Sequence, residues 1–275
     1  MLAQRLLTGL IFAILAAGLI VFASALLMDL VIALLILAAA WEWSALSGLS
    51  VRGQRVGFVL ATAVALALAA WLAGPGSPWL QPLLAAGAAS WVLGAVAVLA
   101  YPRGAGLWGS VPARLLMGLL VLVPPWLAVL HIRLQPHGEY LLVLAIALVA
   151  FVDIGGYFAG RAFGGPKLLP RVSPAKTWAG FAGGIGASLL LALAVAWGTG
   201  MSSERLRDWL LVCALTAVVS VVGDLLESMV KRHGGIKDSG SVLPGHGGLF
   251  DRLDSLTAGL PVFALGQLLA GDFWP

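Results

Sequence analysis

One cysteine in 275 residues, Cys213, rules out an intramolecular disulfide and a cysteine-based metal site. It lies inside an apolar run and is expected to act as a small buried hydrophobe. Charge is scarcer than a soluble protein of this size tolerates: Asp, Glu, Lys and Arg make up 10% of the chain, 61% is hydrophobic, and the mean hydropathy is +1.01. Too little polar surface remains to cover a globule, so a water-soluble domain is excluded. Heptads, low-complexity tracts and clear internal repeats are missing as well. The missing repeats weigh against a transporter built from inverted repeats.

What is present is oil in helix-length pieces. About 17 to 25 apolar residues cross a hydrocarbon core of about 30 Å as helix. Nine such runs are read at approximately 6–23, 26–46, 56–73, 79–100, 113–130, 139–158, 178–198, 208–229 and 255–271. The expected fold class is an all-α polytopic integral membrane protein with about nine transmembrane helices. The opening MLAQRLLTGLIFAILAAGLIVFASA imitates a signal peptide, but further membrane helices follow it, and it is read as an uncleaved first span. With the N-terminus cytoplasmic, thirteen of the sixteen Lys and Arg residues fall inside and only Arg133, Arg205 and Arg207 outside. Cytoplasmic loops carry the basic excess, so the expected topology is N-in and C-out. The net charge of +4 then marks a face near anionic lipid and anionic substrates and calls for no nucleic acid.

Residues 1–135 read as a scaffold of about five helices, and 136–275 as a catalytic region of about four helices with cytoplasmic loops. Trp41, Trp43, Trp71, Trp79, Trp108 and Trp126 sit near expected span ends, where aromatic belts form. Asp29, Glu42, His131 and His137 are read as solvated or hydrogen-bonded residues without a functional part.

The segment GDLLESMVKRHGGIKDSGSVLPGHGGLFDRLDS, from Gly223 to Ser255, breaks the apolar pattern. A carboxylate within a span costs about 2.5 to 3.5 kcal/mol on insertion scales and usually faces a polar cavity. Asp224, Glu227, Ser228 and Lys231 are spaced to share one helix face, with an internal ion pair to Lys231 as the simpler alternative. In the following loop, Lys231, Arg232 and Lys237 alternate with glycines, a pattern suited to cradling phosphate. Asp251 and Asp254 can then join Asp224 around a hard divalent ion, since Mg²⁺ takes one or two carboxylates with water and substrate phosphates. Upstream, Asp153 lies in an apolar run. Ser173 before Pro174 is read as a helix N-cap with proline at the first helical position. That reading puts Lys176 in a first turn where an anion binds. Gly180 and Gly184, four apart, are read as a close-packing pair.

The run S-x-x-K-R-x(4)-K-D and P-G-H-G-G-x-x-D-R-x-D, from Ser228 to Asp254, resembles the signature of phosphatidate cytidylyltransferases. D-x-G-x-Y-x-x-G-R-x-F-G at 153–164 and S-P-x-K-T at 173–177 resemble further blocks of that family. The motifs span roughly the C-terminal hundred residues; the first half is similar in hydropathy alone. The chain departs from the pattern at Ala179, where many members carry glutamate. The resemblance implies transfer of the cytidylyl group of CTP to phosphatidate, giving CDP-diacylglycerol and pyrophosphate in phospholipid synthesis, with Mg²⁺ and a second cation such as K⁺. It implies Asp224 and Asp251 as metal ligands, with Asp254 and Asp153 next. Lys231, Arg232, Lys237 and Arg252 would hold CTP phosphates, beside Asp238, and His246 would face the leaving pyrophosphate. Ser173, Lys176, Thr177, Arg161, Ser228, Gly247 and Gly248 would complete substrate binding. A homodimer and a multi-pass place in a bacterial-type inner membrane, with the site facing the cytoplasm, are further implications. The rival readings are a CTP-dependent lipid-alcohol kinase and a membrane transporter.

Overall fold

The computed structural model describes residues 14, 16–74, 76–236, 239–240 and 248–271. Leu- and Ala-rich runs form α1 (Ala25–Leu46), α2 (Arg52–Leu72) and α3 (Leu80–Ala100), then a four-residue turn of helix, α4 (Ala105–Trp108). The chain continues through α5 (Val111–Arg133), α6 (Gly138–Phe163), α7 (Trp178–Gly198), α8 (Ser203–His233) and α9 (Phe250–Ala270). Among the described residues, eight of these helices are long and apolar enough to cross a membrane. The protein is therefore an all-α polytopic membrane protein, and eight of the nine expected spans have their helix. The other, 6–23, falls half outside the described residues.

Helix ends follow local chemistry. The Ser24 and Ser110 hydroxyls cap α1 and α5 by accepting from Leu27 N and Ala113 N. Helices α5, α8 and α9 are the most buried, while α1 to α3 leave most of their surface for lipid. One apolar core, including Trp43, Leu84, Leu122, Leu148, Trp209, Phe250 and Phe263, runs through both halves of the chain.

Two expectations are corrected here. The first concerns tryptophan. Trp71 and Trp79 are exposed as an interface belt requires, but Trp43, Trp108 and Trp126 are buried. Trp43 Nε1 donates to Arg114 O at 2.8 Å and Trp126 Nε1 to Leu66 O at 3.2 Å, so these indoles join helices instead of meeting headgroups. The second concerns Ser173. It does not cap a helix, because Lys167–Leu169 and Ser173–Thr177 pair as a short antiparallel hairpin, β1 and β2, with Leu169 opposite Ser173 and Lys167 opposite Thr177. The N-cap is Thr177, whose Oγ1 accepts from Gly180 N at 3.0 Å. Lys176 accordingly precedes α7 and is not in its first turn.

The hairpin leads into a close helix pairing, α6 against α7. A Cβ on Gly180 would stand 2.9 Å from Gly156 O, and one on Gly184 2.5 Å from Val152 O. Backbones this close tolerate only glycine, which bears out the close-packing reading of these two positions. Cys213 is fully buried as a free thiol, as expected.

Candidate active site

Close approach of α6 to α7 has a chemical consequence, because it brings Asp153 beside the hairpin and α8. A cavity of about 450 Å³ opens there, lined by Asp153, Tyr157, Arg161, Lys176, Thr177 and Asp224 among others. Lys176 Nζ meets Asp224 Oδ2 at 2.5 Å, and Ser228 Oγ donates to Asp224 Oδ1 at 3.3 Å. Asp153, Asp224 and Asp254 stand within electrostatic reach of one another and of Lys176. Asp254 is buried, with Oδ1 accepting from Ser255 N at 2.7 Å. It is brought close to Asp224 by Gly223, where a Cβ would collide with Asp254 O. Arg161 donates to the Tyr157 hydroxyl at 3.1 Å on the cavity wall. Three carboxylates gathered around one lysine repel each other unless more positive charge arrives.

A second charged group adjoins the first. Lys231, largely buried, donates to Glu227 Oε2 at 2.6 Å and to Asp251 Oδ1 at 2.7 Å. The ion-pair reading of Glu227 with Lys231 therefore holds, and Asp251 is its third member. Asp251 also accepts from Gly248 N at 2.9 Å and from Ser239 N at 3.2 Å. Its carboxylate thus bridges the described ends of the loop that joins α8 to α9. Arg232 and Arg252 are exposed at this end of the bundle. Lys237, Asp238, His246 and Gly247 lie outside the described residues.

The donor set suits a hard cation. Asp153, Asp224 and Asp254 offer oxygen only, which is the ligand type Mg²⁺ takes. Among the described residues no three acidic, histidine or cysteine side chains converge closely enough to cage an ion alone. A Mg²⁺ sharing one or two carboxylates with phosphate oxygens is the arrangement that this set accommodates.

Sequence reasoning missed Glu42, which it left without a functional part. The residue is buried on α1, yet it accepts from Ser239 Oγ at 3.2 Å, Leu249 N at 3.0 Å and Phe250 N at 2.8 Å. Its partners lie about two hundred residues away, so no local pattern points to it. The only cue is the cost of a carboxylate inside an apolar run, which implies a partner without naming one.

A membrane-spanning bundle whose polar cavity pairs Asp224 with Lys176 suits phosphate-bearing substrates. The chain belongs to the Cytidylyltransferase family, which it matches over residues 3–269. It is 43% identical over 271 residues to a phosphatidate cytidylyltransferase of Pseudomonas aeruginosa, covering 98% of both chains. The similarly named protein of Haemophilus influenzae is 36% identical over 243 residues, covering 82% of this chain and 84% of its own. That of Staphylococcus aureus is 40% identical over 131 residues, covering 46% and 49%.

Proposed function

We propose that this protein is a Mg²⁺-dependent phosphatidate cytidylyltransferase, converting CTP and phosphatidate to CDP-diacylglycerol and pyrophosphate at the cytoplasmic face of a bacterial inner membrane. The observation that carries the reading is the cavity lined by Asp153 and by the Lys176–Asp224 pair, beside exposed apolar residues of α6. Ile154, Tyr157 and Phe158 are exposed on that helix. A substrate with acyl chains in the bilayer can therefore present its phosphate to the same cavity that a nucleotide enters from water.

In the reaction, a phosphate oxygen of phosphatidate attacks the α-phosphorus of CTP. The bond from that phosphorus to the bridging oxygen of the β-phosphate breaks, and pyrophosphate leaves with the electron pair. The attacking phosphate is already an anion near neutral pH, so no residue is required to remove a proton. The work left to the protein is positioning and neutralising two polyanions. Lys176 and Arg161 supply positive charge on the cavity wall, and Lys176 is released from Asp224 when phosphate arrives. Asp224 and Asp254, with Asp153 beside them, would hold Mg²⁺, which supplies charge neutralisation at the phosphates when bound. Asp251 holds Lys231 and the neck of the loop whose Lys237, Asp238, His246 and Gly247 we assign to the nucleotide. A second cation such as K⁺ and a homodimer remain parts of the proposal that rest on family likeness.

Purified protein in detergent, given cytidine-labelled CTP, phosphatidate and Mg²⁺, is expected to produce labelled lipid, with Asp224→Asn producing none. In sealed vesicles, added CTP is expected to react only where the cytoplasmic face is outward. Absence of labelled lipid from folded wild type overturns the reading.

A further inference from the structure

We infer that Glu42, on α1 in the half of the chain remote from the motifs, is a positioning residue for the nucleotide loop between α8 and α9. The inference rests on the cytidylyltransferase reading for what the loop binds, but its geometry stands apart from that reading.

The carboxylate reaches both described ends of the loop. Its Oε2 accepts from the Ser239 hydroxyl on one side and from Phe250 N on the other, while Oε1 accepts from Leu249 N. Leu249 and Phe250 open α9, and the residue at its N-cap provides no side-chain cap of its own. Glu42 therefore does from another helix what an N-cap residue usually does locally, satisfying free N–H groups and placing negative charge at the positive end of the helix dipole. The loop ends are shaped to admit it. A Cβ at Gly240 would stand 2.5 Å from Glu42 Oε1, and a Cβ at Gly248 2.7 Å from Oε2. Glycine on both sides of the neck lets the backbone close on the carboxylate.

Glu42 is itself presented from a rigid platform. Its neighbour Trp43 packs edge-on against Phe250 with ring centres 5.0 Å apart and donates to Arg114 O of α5. Arg55 of α2 donates to Ser44 Oγ and Trp41 O. Arg114 donates to Leu46 O. The end of α1 is thus tied to α2 and α5, and Ser239, Leu249 and Phe250 are held against that frame. Asp251 grips the same neck from inside the site, at Ser239 N and Gly248 N. Two carboxylates thus hold Ser239 and Gly248–Phe250, and Ser239–Gly240 and Gly248 belong to no helix or strand.

The test compares Glu42→Gln, Glu42→Ala and Ser239→Ala with Asp29→Asn. The last breaks a 2.6 Å ion pair between Asp29 of α1 and Arg133 of α5, and Asp29 stands thirteen residues before Glu42, about 20 Å away along the helix. Glutamine keeps one acceptor and leaves at least one of the two backbone N–H groups unpaired. Glu42→Gln is expected to raise the KM for CTP at least tenfold with the KM for phosphatidate within twofold, and Ser239→Ala to have a smaller effect of the same kind. In the ligand-free protein, amide hydrogen exchange at Ser239, Leu249 and Phe250 is expected to quicken at least tenfold in Glu42→Gln and to stay unchanged in the β1–β2 hairpin. Asp29→Asn should lower thermal stability and leave both readouts alone. If Glu42→Ala does not fold, the glutamine and Ser239 variants decide the matter. Unchanged exchange and CTP affinity in folded Glu42→Gln overturn the inference, as does an equal rise in CTP KM in Asp29→Asn. Should wild type fail to turn over CTP, the exchange measurement still decides whether Glu42 holds the loop.

Discussion

Replacing Lys231 by methionine removes the cation that joins Glu227 to Asp251. The ammonium lies 2.6 and 2.7 Å from the two carboxylates, and the Glu227 side chain is only 2% exposed. Methionine fills similar space, so the effect is electrostatic and not a cavity. Removing one partner of a buried ion pair costs about 3–5 kcal/mol because the other charge is left unpaired. At about 2–4 °C per kcal/mol for chains of this size class, the melting temperature is expected to fall by on the order of 10 °C. Cys213 provides the assay: it is fully buried, so a thiol-reactive dye reports opening of the bundle during a thermal ramp in detergent. Adding Glu227→Gln to the same chain removes the stranded carboxylate and should recover at least half of the loss, as expected for coupled neighbours. A drop below about 2 °C, or a double variant no better than the single one, would refute the view that Lys231 is stabilising by neutralising buried acids.

Three further outcomes follow from the geometry. Lys176→Ala should lower kcat/KM about 10- to 100-fold, the equivalent of a charge-assisted hydrogen bond of about 1.5–3 kcal/mol, while Lys176→Arg retains more; steady-state kinetics on both substrates check this. Gly184→Val forces a side chain against Val152 and is expected to destabilise by about 1–3 kcal/mol and to lower turnover by displacing Asp153, as read by the same thermal ramp and by kinetics. Chelation of divalent cations should abolish turnover and readdition of Mg²⁺ restore it, with the wild-type fold unchanged by circular dichroism.

Long apolar runs made the helices legible, because a span needs about twenty such residues and little else in a chain produces them. The polar stripe of α8 was legible for the same reason in reverse: Asp224, Glu227, Ser228 and Lys231 recur at helical spacing in an apolar setting. The hairpin was not, since strands of three and five residues are too short for alternation to show, and Ser173-Pro174 imitates a helix start. Trp43, Trp108 and Trp126 were misread because proximity to a span end does not say whether an indole faces lipid or a neighbouring helix. Asp251 was read from the sequence as a metal ligand beside Asp224; its contacts with Lys231, Ser239 and Gly248 depend on how the chain folds back between α8 and α9. Glu42 depends on contacts across 197 to 208 residues of sequence, which only the fold brings together.

The transfer itself is tested most directly by offering the purified protein phosphatidate, Mg²⁺ and CTP radiolabelled at either the α- or the γ-phosphorus, then extracting the lipid. Label from the α-position alone in the lipid fraction, with γ-label in pyrophosphate, is the result a cytidylyltransferase gives. Label from the γ-position in the lipid would instead make the protein a CTP-dependent kinase and contradict the account.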